Sequence, residues 1–97
     1  MNVTWTTTFR KWLDDLPDPI AAALIAARIA RLREGLFGNV RSLGGGLAEM
    51  KIDHGPGYRV YYARRGQELI LLLCGGDKST QSRDTARARA IAEEVKK

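Results

Sequence analysis

The sequence predicts an α+β fold, with two N-terminal helices laid on an antiparallel sheet and a further helix at the C-terminus. Three observations predict it. Between Leu47 and Asp77 the chain follows a two-residue alternation broken by glycine-containing turns, the pattern of consecutive antiparallel strands. Between Phe9 and Leu32 apolar residues recur at helical spacing, interrupted only at Pro17-Asp18-Pro19. From about Thr80 the helical spacing returns. The 97 residues suffice for one domain, expected to span the chain from residue 1 to residue 97.

Asn2 to Thr6 reads as a short strand with Val3 and Trp5 on one face. Thr6, Thr7 and Thr8 then offer capping oxygens for a helix whose apolar stripe is Phe9, Trp12, Leu13 and Leu16. Pro17 stops it. Asp18 is the expected N-cap of the second helix, and Pro19 suits its first position. That helix should run to about Arg33, with a seam of Ile25, Ile29 and Leu32 flanked by Leu24. Arg28, Arg31 and Arg33 fall outside the seam, on an expected solvated face. Gly35 terminates it. In Leu36–Gly46 five residues are Gly or Asn, so the segment reads as a mobile helix-to-strand connection.

In LAEMKID, Ala48, Met50 and Ile52 point one way while Glu49, Lys51 and Asp53 point the other. His54-Gly55-Pro56-Gly57 is the hairpin loop, with His54 as a turn residue. In YRVYYAR, Tyr58, Val60 and Tyr62 share the core face; Arg59 and Tyr61 share the opposite, polar one. Gly66-Gln67 makes the next turn. LILLLC is apolar on both faces and is expected to be central, ending at Gly75-Gly76. The last helix, Thr80 to Val95, has a stripe of Ala88, Ile91, Ala92 and Val95. It is expected at the edge or end of the sheet.

Hydrophobic residues make up 44% of the chain, which places it with globular rather than disordered sequences. The formal charge is +5, which favours polyanionic partners such as nucleic acid, an acidic protein segment or an anionic surface. Cys74 is the sole cysteine and falls in the most apolar strand, so no internal disulfide forms and a core thiol is expected. One histidine and one cysteine do not make a nitrogen–sulfur zinc site, and no cofactor is expected. No run has signal-peptide or membrane-span length, so the expected location is cytoplasmic. The polar faces of two neighbouring strands thus collect a carboxylate, a lysine, an arginine and a phenol. Lys78 follows the third strand. That composition suits a phosphate.

The run GxxExKIxxGPGYRVYY…LLLxGGDKSTQxxDxxxA, from Gly46 to Ala88, resembles the phage-derived, Gp49-like and HigB-like branch of the RelE/ParE toxin superfamily. The upstream FxxWLDDLPD and RIARLREGLFGNV segments fit the same branch. The resemblance implies a RelE-like fold, a cognate antitoxin encoded by a neighbouring gene, a toxin–antitoxin hetero-oligomer, and ribosome-dependent cleavage of mRNA. Thr85 stands where such proteins usually carry an aliphatic residue, so the packing of the last helix should differ there.

A ribonuclease that works without metal uses the neighbouring 2′-OH as nucleophile. It needs a base for that hydroxyl, cations around the phosphorane and an acid for the leaving oxygen. On this reading Arg59 binds the phosphate, Lys51 is its companion cation or the base, and Glu49 is the alternative base. Tyr61 stacks on a base or binds a phosphate, and Lys78 reaches the scissile phosphate. Gln81 and Arg83 contact RNA, though capping of the helix is the simpler role for Gln81. The alternative is a non-catalytic poison, since ParE-type relatives of the same fold inhibit DNA gyrase. A toxin reduced to antitoxin binding is a third reading.

Overall fold

Each N-terminal helix begins where the sequence supplies a capping oxygen. The structure, a computed structural model, describes residues 1–96. Strand β1 (Asn2–Trp5) leads into α1 (Thr7–Asp14), where Thr6 Oγ1 accepts from the Phe9 N–H at 3.0 Å. In α2 (Pro19–Arg33) the Asp18 carboxylate accepts from the Ile20 and Ala21 N–H groups at 2.9 and 3.3 Å. His54 closes on the same Asp18 at 2.8 Å, tying this helix start to the hairpin turn at residues 53–57 of the sheet.

The strands that follow are β2 (Val40–Gly44), β3 (Leu47–Ile52), β4 (Tyr58–Arg65) and β5 (Leu69–Asp77). A single 3-10 turn, Lys78–Thr80, then opens into α3 (Gln81–Lys96). The sheet order is β1-β5-β4-β3-β2. Neighbours from β5 to β2 are antiparallel, and β1 joins β5 in parallel at one edge, Asn2 opposite Leu69. The α+β class is as the sequence predicts.

Three details differ from the expectation. The Gly-rich connection contains a strand, β2, paired with β3 from Val40 opposite Met50. The middle position belongs to β4, with β5 beside it and continuing through the double glycine to Asp77. Helix α3 lies across the second face of the sheet, touching β5, β4 and β3, rather than at an edge or end.

The alternation sorts side chains as the sequence predicts. Met50, Ile52, Val60, Tyr62, Ile70 and Leu72 are buried against Phe9 of α1 and the α2 seam of Ala21, Ile25, Ile29 and Leu32. The α3 face holds a smaller cluster, in which Leu47, Tyr61, Ala63, Leu73 and Cys74 meet Ala88. A register shift between Tyr61 and Tyr62 sets Leu73 and Cys74 both on that face. Burial pushes the Cys74 thiol up to about 11, in keeping with a core thiol.

Gly75 and Gly76 explain how the two layers come close. A Cβ on Gly75 would run into the Trp12 indole of α1, and one on Gly76 into the Asp84 carboxylate of α3. Hydrogen at both positions lets each helix rest on the strand backbone. Arg28 also departs from its expected solvated role. It is half-buried and donates to the carbonyls of Lys51, Phe37 and Asn39 at 2.9, 3.3 and 3.5 Å, holding the start of β2 against the end of β3. Among the described residues no helix is long and apolar enough to cross a membrane.

Candidate functional site

Glu49 and Arg59 lie on adjacent strands and on the same face, the one α3 covers. Tyr61 is directly opposite Glu49, and Arg59 directly opposite Lys51. The sequence places these side chains on a polar face, and that parity holds. Their exposure does not: Glu49 and Arg59 are 5% and 6% exposed, and Tyr61 is fully buried. The first turns of α3 roof over this end of the sheet.

Glu49 is the hub. Its Oε1 lies 3.6 Å from Arg59 Nε and 3.4 Å from Arg41 Nη2, and its Oε2 accepts from Gln81 Nε2 at 3.0 Å. Gln81 therefore reaches back to the sheet instead of capping its own helix. Arg59 Nη1 donates to the Gly57 carbonyl at 2.9 Å, while its buried Nε makes no hydrogen bond among the described residues. A buried pair of this kind is costly to desolvate and adds little net stability.

Arg41, Glu49, Lys51, Arg59 and Gln81 line one pocket of 210 Å³ at the β2 side of α3, with Asn39 and Val40 at its rim. Among these residues three cations face one carboxylate, so the pocket carries an excess of two positive charges. Lys51 Nζ also meets the exposed Asp53 carboxylate at 3.3 Å. A shallower hollow lined by Arg41, Gln81, Ser82 and Thr85 runs on from it along the helix start. A guanidinium beside two further cations, around a single carboxylate, suits a phosphate oxygen.

The other expected residues are arranged differently. Tyr61 does not line the pocket, and under α3 no base can stack on it. Its hydroxyl is approached by Thr85 and Glu49 but by neither at hydrogen-bonding geometry. Burial first, with the nearby Glu49 charge adding to it, pushes this phenol up to about 12, so it stays protonated at neutral pH. Thr85 itself donates to the Gln81 carbonyl at 2.9 Å, a use an aliphatic residue at that position lacks.

Lys78 is exposed in the 3-10 turn. It nonetheless adjoins the site, because the place a Gly57 Cβ would take lies 3.5 Å from Arg59 Nη1 and 3.6 Å from Lys78 Cβ. The Ser79 hydroxyl and N–H both bond the Asp77 carboxylate and hold it below its ordinary 3.8. Arg83 is not in the Glu49 pocket at all. It lines a cleft on the far side of Asp77, with Trp12 and Arg87.

Arg41 is the residue that sequence reasoning missed. It belongs to a strand hidden in a glycine-rich stretch, and a lone arginine there carries no distinguishing signal. A larger and mostly apolar hollow of 370 Å³ lies on the other face between Phe37, Val40 and Tyr62. Its one cation, Arg64, sits 5.0 Å over the Phe37 ring.

The model of the phage-derived protein Gp49-like family matches residues 11–97. An uncharacterized protein of Haemophilus influenzae is 45% identical over 95 residues, which cover 98% of this chain and 96% of that protein.

Proposed function

Because this chain belongs to the phage-derived Gp49-like family, we propose that it is the toxin of a type II toxin–antitoxin pair and a metal-independent endoribonuclease acting on mRNA in the ribosome. The observation that carries the reading is the buried Glu49–Arg59 pair at the wall of a pocket with excess positive charge. The motif resemblance from Gly46 to Ala88 supports the same reading. So does the net charge of +5.

A scissile phosphate enters the pocket and takes the Arg59 guanidinium and the Arg41 and Lys51 cations as partners. Glu49 is the base. Its two oxygens offer about four acceptor sites, so a 2′-OH can reach a carboxylate that its present donors already orient. The 2′-oxygen gives its proton to Glu49 and bonds to phosphorus. Charge then grows on the non-bridging oxygens, where the cations stabilise it, and the bond from phosphorus to the 5′-oxygen breaks, the leaving oxygen taking a proton from solvent water while Glu49 returns its own to solvent. The products are a 2′,3′-cyclic phosphate and a 5′-hydroxyl. Lys78, beside Arg59, supplies further positive charge at the rim. The neutral Tyr61 supports Glu49 from below. Ribosomal RNA would align the substrate over a site this small.

The test is the RNA itself. Arg59→Ala would break a buried pair and cost on the order of 3–5 kcal/mol in stability, so Arg59→Lys is the informative variant. It keeps the charge and removes the fork. After brief induction, RNA 5′ ends are mapped for the parent and for Arg59→Lys, with thermal melts as the folding control. We expect a folded variant that cleaves on the order of 100- to 1000-fold more slowly. A folded Arg59→Lys that cuts at the parental rate overturns the assignment. Growth arrest by the parent with no new 5′ ends replaces it with the non-catalytic, gyrase-type reading.

A further inference from the structure

Strand β1 stops pairing at Trp5, opposite Leu72, yet β5 runs on to Asp77. Beyond Leu73, whose carbonyl accepts from Thr6 Oγ1 at 2.7 Å, that edge of β5 has no neighbouring strand among the described residues. The gap opens a cleft of 350 Å³ between α1 and α3, floored by Gly75 and Gly76. Trp12 forms one wall and separates it from a further hollow of 300 Å³ lined by Thr8, Lys11 and Asp15, with Arg87 common to both. Arg83 and Arg87, one turn apart on α3, stand at the opposite wall. Among the described residues neither guanidinium has an ion pair or hydrogen bond. Nothing in the Glu49 chemistry uses this cleft.

We propose that this cleft is a second RNA subsite, holding a nucleotide that flanks the scissile phosphate, with its backbone phosphates on Arg83 and Arg87 and its base against Trp12. The proposal rests on the ribonuclease reading for the identity of the ligand. Three features favour a nucleotide over a simple anion. Asp84 is buried and Asp77 half-buried, whereas Arg83 and Arg87 are exposed, so a phosphate is kept at the mouth with the guanidiniums. An uncharged base with amino donors can pass inward to those carboxylates. An indole wall gives the base a stacking surface. The position also fits, because Gly76 at the cleft floor is directly opposite Arg59 and Asp77 directly opposite Tyr58. One strand rung therefore separates the two sites, and a continuous RNA strand can occupy both.

Trp12 itself reports occupancy. In a Trp5→Phe background it is the sole tryptophan. Its fluorescence is titrated with 2′-O-methyl hexamers of adenosine and of uridine, which cannot be cleaved by 2′-OH attack. We expect quenching by both, tighter for adenosine because the purine stacks better and carries an amino donor. Arg83→Ala and Arg87→Ala should each weaken it and reduce the slope of log affinity against log salt by about 0.7. Arg31→Ala, on the distant face of α2, should leave quenching at fixed salt nearly unchanged. Quenching that persists in Arg59→Lys supports a separate subsite, whatever that variant does to cleavage. Absence of quenching overturns the proposal, as does equal quenching in the Arg83 and Arg87 variants, and either result leaves the cleft to a protein partner. Quenching in a parent that cuts no RNA in cells would refute the ribonuclease reading and leave the subsite standing.

Discussion

The two faces of this sheet are built from the same strands but are not equivalent. Met50 and Glu49 are neighbours in β3, and both are buried. Met50 meets the helical hairpin among aliphatic and aromatic side chains. Glu49 meets two arginines and a glutamine under α3. The first face stabilises the fold by removing apolar surface from water. The second carries buried charge that contributes little net stability and gathers charged side chains at a pocket. Burial alone therefore does not separate scaffold from site; what the side chain is buried against does.

Met50→Ala should break the comparison on the scaffold side. It removes a fully buried side chain from the hairpin face, at a cost of about 2–5 kcal/mol. Urea denaturation measures it. A cost within about 0.5 kcal/mol, the level of an ordinary surface change, would show that the hairpin face does not carry the fold.

The double glycine sharpens the comparison, because its two residues face opposite layers. Gly75→Ala and Gly76→Ala should each cost about 1–3 kcal/mol through overpacking. Only Gly75→Ala should shift Trp12 emission strongly, since Trp12 rests on that residue, whereas Asp84 rests on the next. Equal spectral shifts in the two variants would mean that the layers are not independently seated.

The smallest effect concerns acid. The His54 hydrogen bond, then the helix-start N–H groups, hold Asp18 below its ordinary 3.8. A carboxylate depressed in the folded state contributes stability that is present above its unfolded value and lost as pH falls through the folded one. Thermal melts should therefore decline below about pH 4 in the parent. In His54→Ala that decline should be shallower, with little change in the Glu49–Arg59 pocket. An identical acid profile would remove His54 as the cause.

The scaffold face was legible in the sequence because period-two alternation in LAEMKI and YRVYY assigns every side chain to one face. The helix caps were legible because Thr6 and Asp18 are chemically suited to them. Strand β2 was not, because its register shifts between Ser42 and Gly44, leaving Val40 and Leu43 half-buried at a spacing that no strand pattern predicts. The cover over Glu49 and Arg59 was hidden for a different reason. The α3 stripe is small-sided, and its first turn is polar, as solvent-facing turns usually are. Here those polar groups are turned inward: Gln81 donates to Glu49, and Asp84 accepts from the Thr80 hydroxyl. The pairing of Glu49, Lys51, Arg59 and Gln81 around one pocket was foreseeable in part; the partition of Arg83 into another was not.

The parallel pairing of β1 with β5 has a consequence for how the chain is made. Asn2 finds its partner only at Leu69, and α1 packs chiefly on β5. Contacts so distant in sequence cost loop-closure entropy before they return any stabilisation, which slows folding. At a synthesis rate of about 5–20 residues per second, the N-terminal helices wait for seconds before the strand that completes their core has been made. A nascent or prematurely terminated chain ending before β5 lacks that closure. On the toxin reading, activity begins only once translation of the chain is nearly finished.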